Sequence, residues 1–121
     1  AYALKGSGNI SIACFGDAAT EQGVFWESLN FAALKRLPIL FICENNNLSI
    51  NVPRSERQAT KEGRTTSIWW KASTFGVISF SDGNIDEAFT RLRKEEWPIF
   101  VEVQTKREGD HCYFPPQSTP L

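Results

Sequence analysis

Two short, nearly unbroken apolar runs organise the first half of this chain: Ile10-Ser11-Ile12-Ala13-Cys14-Phe15 and Ile39-Leu40-Phe41-Ile42-Cys43. Runs of this length without clean alternation predict strands covered on both faces. Between them Phe25, Leu29, Ala32, Ala33 and Leu34 recur close to a helical period, which predicts a helix from Phe25 to Arg36. Lys35-Arg36 suits the carboxyl end of the helix dipole. Pro38 bars helix continuation from Leu37. Gly16 to Gly23 reads as a turn region.

The second half repeats the alternation. Asn51 to Thr66 is polar and basic, with Pro53 and Gly63, and reads as a long loop. Ser67 to Phe75 suggests a short helix anchored by Trp69 or Trp70, and Val77 to Phe80 a third strand. Asn84 followed by Glu87 has the look of a capping box opening a helix from Ile85 to Glu95. Pro98 to Val103 predicts a fourth strand, and Gln104 to Leu121, with three prolines, an extended tail. Strand, helix, strand, strand, helix, strand with short connections is the signature of an α/β fold: a mostly parallel sheet with helices on both faces. Such sheets bind ligands beyond the carboxyl ends of their strands.

Composition narrows the classes. At 121 residues the chain is the size of one modest domain. Thirteen basic residues against fourteen acidic ones, a net charge of -1, give no electrostatic footprint for nucleic acid or an anionic membrane. No apolar run approaches the ~20 residues of a membrane span. There is no recognisable signal or transit peptide. Ala1-Tyr2-Ala3-Leu4-Lys5 reads like the last turns of a helix ending at Gly6-Ser7-Gly8, so the chain is expected to be a fragment whose earlier segments are missing. Of the three cysteines, Cys14 and Cys43 fall in strand runs as small buried hydrophobes, and Cys112 lies in a polar stretch. Reduced thiols of an intracellular protein, in the cytoplasm or an organelle matrix, are expected.

Chemistry concentrates where the two strand runs end. Asp17 follows the first, within Gly16-Asp17-Ala18, and Asn45-Asn46-Asn47 follows the second. Magnesium takes oxygen ligands, usually one or two carboxylates completed by phosphate oxygens and water. Asp17 would supply a charged oxygen, an Asn side chain a neutral one, and a backbone carbonyl after the Asn run a third. Backbone N–H groups in the turn after Asp17, with the amino end of the next helix, could meet a diphosphate. The plainer alternatives are an Asp that only caps a helix and an Asn triplet that only makes a turn.

The stretch Gly16-Asp17-Ala18-Ala19-Thr20-Glu21-Gln22-Gly23, then Glu27 to Leu34, then Leu37 to Asn46, resembles the thiamine diphosphate motif, which runs from Gly-Asp-Gly to Asn-Asn. The version here is similar to the alpha chain of 2-oxo acid dehydrogenase first components, the pyruvate, branched-chain and acetoin type. The likeness is strong from Gly16 to Gln58 and weaker through Asp82-Gly83-Asn84 and Glu102 to Arg107. It implies thiamine diphosphate and Mg as cofactors in the thiamine diphosphate-binding fold, here as a single diphosphate-binding module over 1–121. Asp17, the Asn46 side chain and the Leu48 backbone carbonyl would be the metal ligands. Gly16, Ala18 and Ala19 would lie against the diphosphate, Ile50 near the thiazolium, and His111 in a catalytic loop beside the cofactor. A 2-oxo acid substrate, a beta-type chain binding the aminopyrimidine and a lipoyl-bearing acyltransferase component that receives the acyl group are the implied partners. The fragment alone would be inactive.

The chain departs from that pattern in places. Ala18 stands where the motif has its second glycine, a strained position if φ must be positive. Arg107-Glu108-Gly109-Asp110-His111-Cys112 keeps one histidine where pyruvate-type relatives show two, and Cys112 replaces a serine. A transketolase-like or non-oxidative thiamine diphosphate enzyme, or a degenerate domain of this fold, stays open on the sequence. Arg54, Arg57, Lys61 and Arg64 read as a solvated basic loop. Glu21 and Glu27 read as helix-start charges, and Trp69 and Trp70 as core or interface anchors.

Overall fold

The computed structural model describes residues 8–61, 64–65, 67–81 and 84–111. The helix end expected over Ala1–Lys5 and the residue Cys112 lie outside them. Four parallel strands form the sheet: β1 (Ser11–Gly16), β2 (Ile39–Asn45), β7 (Ile78–Ser81) and β8 (Ile99–Gln104), in the order β1-β2-β8-β7. Helix α1 (Gly23–Lys35) joins β1 to β2, and α4 (Ile85–Glu95) joins β7 to β8. Parallel neighbours require such crossovers. Arg36 ends α1 in left-handed geometry, and Pro38 keeps the chain extended into β2.

Strand alternation sorts the side chains into two cores. On one face Phe41 and Cys43 of β2 and Phe100 of β8 pack under Phe25, Leu29 and Ala32 of α1. Ile68 and Ala72 of α3 (Ile68–Ser73) complete that layer. Phe25 links the layer, with ring centroids 5.2 Å from Phe15 and 6.1 Å from Phe100. On the other face Leu40, Ile99 and Val101 pack under Ala88 and Leu92 of α4. The expected mostly parallel sheet with helices on both faces is therefore present.

Four local expectations are corrected. Among the described residues β1 is an edge strand and is not covered on both faces: Ala13 and Phe15 face the α1 core, but Ile12 is 51% exposed and Cys14 is exposed too. The reason is that α4 packs mainly over β2 and β8. The stretch from Asn51 to Thr66 is not a plain loop. It holds β4 (Val52–Pro53), which pairs with β3 (Leu48–Ser49), the one-turn helix α2 (Arg54–Arg57), and the pair β5 (Thr60–Lys61) and β6 (Arg64–Thr65). Helix α3 is anchored by Ile68 and Ala72, with Trp69 half-buried and Trp70 exposed. Asn84 precedes α4 as expected, but its amide bonds the Glu87 carboxylate rather than a helix N–H.

One side of α1 is apolar without a covering element among the described residues. Val24, Phe31 and Leu34 are exposed, and a groove of about 500 Å³ lined by Val24, Phe31, Ile12, Ala32 and Phe41 runs between α1 and β1.

Candidate functional site

Strand register brings the two expected ends together. Gly16 pairs with Glu44 across the parallel β1–β2 ladder, so Asp17 leaves β1 beside the start of the Asn triplet. Asp17 opens a one-and-a-half-turn 3-10 segment, Asp17–Glu21, that packs against β2 and the β3–β4 hairpin. It is 1% exposed, and it caps nothing with its side chain. The Thr20 hydroxyl donates to the Asp17 carbonyl at 2.6 Å and tightens the turn. Ala18 and Ala19 follow in right-handed geometry. The positive-φ residues do not include Ala18, so the strain that a glycine-requiring turn would impose there is absent. A side chain built on Gly16 or Gly23 would meet nothing within 4 Å, so space lies open over this turn.

The Asn triplet forms two successive Asx turns. Asn45 Oδ1 accepts the N–H of Asn47, and Asn46 Oδ1 accepts the N–H of Leu48, each at 2.9 Å. Asn47 adopts φ 60°, the left-handed region that Asn tolerates. The turn reading and the ligand reading of this triplet are thus compatible. Arg54 N–H bonds the Asn47 carbonyl, which makes Leu48–Pro53 the non-hydrogen-bonded pair of the hairpin. The Leu48 N–H and carbonyl therefore face away from β4, and Asn46 takes the N–H. Ile50, 61% exposed, also adopts positive φ, 55°, a costly geometry for a β-branched residue. Arg107 donates to the Ile50 carbonyl, and to Asn51 Oδ1 at 3.0 Å.

Behind the triplet sits a buried polar network that the sequence reading missed. Glu102, on β8, faces the same layer as Phe100 and Cys43. Its Oε1 accepts Asn45 Nδ2 at 2.6 Å, its Oε2 accepts the Trp69 N–H at 2.9 Å, and Arg54 lies 3.6 Å away, with both side chains buried. An acid inside an otherwise apolar strand was the available signal, since buried charges come paired. Arg54 and Arg57 are accordingly not solvated. Arg57 donates to Asp17 Oδ2 at 2.9 Å and to Glu21. Glu21 is thus an ion-pair partner rather than a helix-start charge. The side chains of Lys61 and Arg64 lie outside the described residues.

Burial, reinforced by the nearby Glu102 and Asp17 carboxylates, pushes the Cys43 thiol up to about 12. The native thiol is then neutral and unreactive. Iodoacetamide at pH 8 should leave Cys43 unmodified by mass spectrometry until the protein is unfolded. The raised value favours the folded state below pH 9, and that contribution fades as pH climbs from 9 towards 12.

His111 is exposed on a turn past β8. The segment leading to it is tied to the site by the Thr105 N–H on the Asn45 carbonyl (2.9 Å) and by Arg107. The strand register and the Asx turns gather Asp17, Ala18, Ala19, Asn46 and Leu48 at neighbouring strand ends, with Ile50 on the adjoining hairpin; His111 is linked through this chain segment. Among the described residues no three His, Cys, Asp or Glu side chains group as metal ligands. A cation at these strand ends would instead meet one carboxylate with amide and carbonyl oxygens. That donor set suits a hard ion which borrows further oxygens from a phosphate.

The dehydrogenase E1 component family matches residues 1–119. The chain belongs to that family. Its relatives include the pyruvate dehydrogenase E1 component subunit alpha-3, chloroplastic, of Arabidopsis thaliana, 36% identical over 117 residues, covering 89% of this chain and 26% of that protein. The E1 component subunit alpha of Rhizobium meliloti (strain 1021) is 33% identical over 121 residues, covering 93% of this chain and 33% of that one. The Staphylococcus aureus (strain Mu50 / ATCC 700699) subunit is 33% identical over 122 residues, covering 92% and 32%. The chain thus spans a third or less of the length of these curated relatives. Among solved structures, benzoylformate decarboxylase from Polynucleobacter necessarius aligns with TM-score 0.58 at 10% identity, over 78% of this chain and 19% of that one, a likeness of fold alone. Among the described residues no helix of this E1 family member is long and apolar enough to cross a membrane.

Proposed function

We propose that this chain is the diphosphate- and magnesium-binding module, over 1–121, of a thiamine diphosphate-dependent 2-oxo acid dehydrogenase alpha chain. The observation that carries the proposal is the convergence of a buried carboxylate, Asp17, with the Asx-turned Asn46 and the outward-facing Leu48 backbone at neighbouring parallel strand ends.

Asp17, Asn46 Oδ1 and the Leu48 carbonyl would hold the ion. The open turn at Gly16, Ala18 and Ala19 would receive the diphosphate, helped by the amino end of α1, which has no acidic residue in its first turn. Bound there, the cofactor supplies a nucleophilic thiazolium carbon and an electron sink for loss of carbon dioxide from a 2-oxo acid. The chain's own work is to neutralise the anionic end and fix its position. Asn46 can orient because Glu102 pins Asn45 and the Asx turns hold the triplet. Ile50, exposed on the adjoining hairpin, would lie near the thiazolium. His111, reached by the segment that Arg107 straps down, would be placed to hold or pass a proton. A beta-type chain would bind the aminopyrimidine, a lipoyl-bearing component would take the acyl group, and the assembly would work in the cytoplasm or an organelle matrix. The absence of left-handed strain at Ala18 supports a binding domain over a degenerate one.

Calorimetry on the intact assembly, purified with its partner chains, tests this. Thiamine diphosphate should bind saturably with magnesium and not in excess EDTA, and Asn46→Ala should weaken binding about 10–100-fold. No heat at millimolar cofactor would overturn the proposal.

A further inference from the structure

Arg57 closes α2, the helix that follows the hairpin carrying Leu48. All three kinds of donor on its guanidinium are engaged: Nη2 to Asp17 Oδ2 at 2.9 Å, Nη1 to Glu21 Oε1, and Nε to the Val52 carbonyl at 3.1 Å. Gln58 Nε2 supports the same Glu21 oxygen at 3.1 Å. Asp17 is 1% exposed and Arg57 11%. A carboxylate buried to that degree needs a counter-charge, and Arg57 supplies it. Yet Asp17 is also the charged ligand of the metal site proposed above.

A magnesium-type ion sits about 2.0–2.1 Å from its carboxylate oxygen. An ion on Asp17 and a guanidinium donating to the same carboxylate would stand within a few ångströms of each other, both cationic, where solvent screens poorly. We propose that Arg57 and the divalent ion compete for Asp17: Arg57 is the counter-cation of the unloaded site and gives up Oδ2 as the ion binds. This rests on the metal-site proposal. Glu21, 28% exposed, remains as a partner on the solvent side, so the displaced guanidinium is not left bare. Arg57 also holds the Val52 carbonyl of β4 through Nε, and repulsion of the guanidinium by the ion would draw that bond out of line and loosen α2 against the hairpin that carries Leu48.

The test uses Mn²⁺ as the probe, with the free ion read by electron paramagnetic resonance, on the intact assembly without diphosphate and with saturating thiamine diphosphate. Arg57→Gln leaves Asp17 buried and unpaired, so it should bind Mn²⁺ about 10-fold or more tightly than the parent protein when diphosphate is absent. Arg57→Lys, which keeps the charge, should stay near the parent affinity. In the parent, saturating Mn²⁺ should speed amide exchange over residues 52–58. Unchanged or weaker Mn²⁺ binding by Arg57→Gln, or exchange over 52–58 that Mn²⁺ leaves unaltered, would overturn the competition while the metal site stands. The exchange measurement decides the matter even if Arg57→Gln fails to fold. Mn²⁺ that binds neither protein with or without diphosphate, or that ignores Asp17→Asn, removes the metal site and this inference together.

Discussion

Asp17→Asn should cost at least about 100-fold in divalent-ion affinity, and with it the metal-dependent binding of thiamine diphosphate, while leaving the protein folded. The size of the loss follows from the donor set. Asp17 is the one carboxylate among the proposed ligands, and the amide and carbonyl oxygens beside it carry no net charge. The substitution is nearly isosteric. It leaves the Thr20 hydroxyl on the Asp17 backbone carbonyl and leaves Arg57 with Glu21 and the Val52 carbonyl. Stability should therefore move by about 1.5–3 kcal/mol, the worth of a charge-assisted hydrogen bond. Calorimetry for binding and thermal unfolding for stability separate the two effects. Cofactor affinity that survives Asp17→Asn unchanged would show that the ion, if bound, sits elsewhere.

Glu102→Ala should be the most destabilising single change at the site, by about 3–5 kcal/mol. The carboxylate it removes holds Asn45, the Trp69 N–H and Arg54 in a buried setting. Asn45 and the Trp69 N–H would each be left short of a partner, and the buried Arg54 would lose a counter-charge. The damage should also have a direction. Asn45 carries the first of the two Asx turns, so loss of its anchor should blur the Asn45–Asn47 triplet as well as lower the melting temperature. Combining Glu102→Ala with Arg54→Leu should recover part of the stability, because a buried cation leaves together with the carboxylate that faced it, but should not recover cofactor binding. A double-mutant cycle of thermal unfolding measures the first result and calorimetry the second. Simple additivity of the two substitutions would argue that Arg54 and Glu102 are not energetically coupled.

The parts of this fold that sequence made legible are those governed by local periodicity and turn chemistry. Ile85–Glu95 emerges as a helix with the expected bounds, and the two apolar runs emerge as adjacent parallel strands. The Asn triplet turns as Asn residues do. What stayed hidden depends on partners distant along the chain. Arg54 and Arg57 looked solvated because a basic stretch between turn residues usually is. Their burial follows from Glu102 and Asp17, each roughly forty residues or more away along the chain. Glu102 lay inside the expected fourth strand, but alternation alone does not tell which layer lies beyond it. Cys14 looked buried because its run is apolar, whereas burial on an edge strand is decided by where α4 lies. The grouping of Asp17 with Asn46 could be anticipated, since both end strands of one parallel ladder. Whether an ion or an arginine faces the carboxylate could not.

Ile50 carries a further lesson for anyone transplanting this hairpin. Its left-handed backbone is not secured by the hairpin's own two-residue strands. The clamp on its carbonyl comes from Arg107, 57 positions later and beyond the final strand. A graft of Leu48–Pro53 into another scaffold would carry the proposed ligand backbone but not the brace, and the left-handed turn at Ile50 would relax.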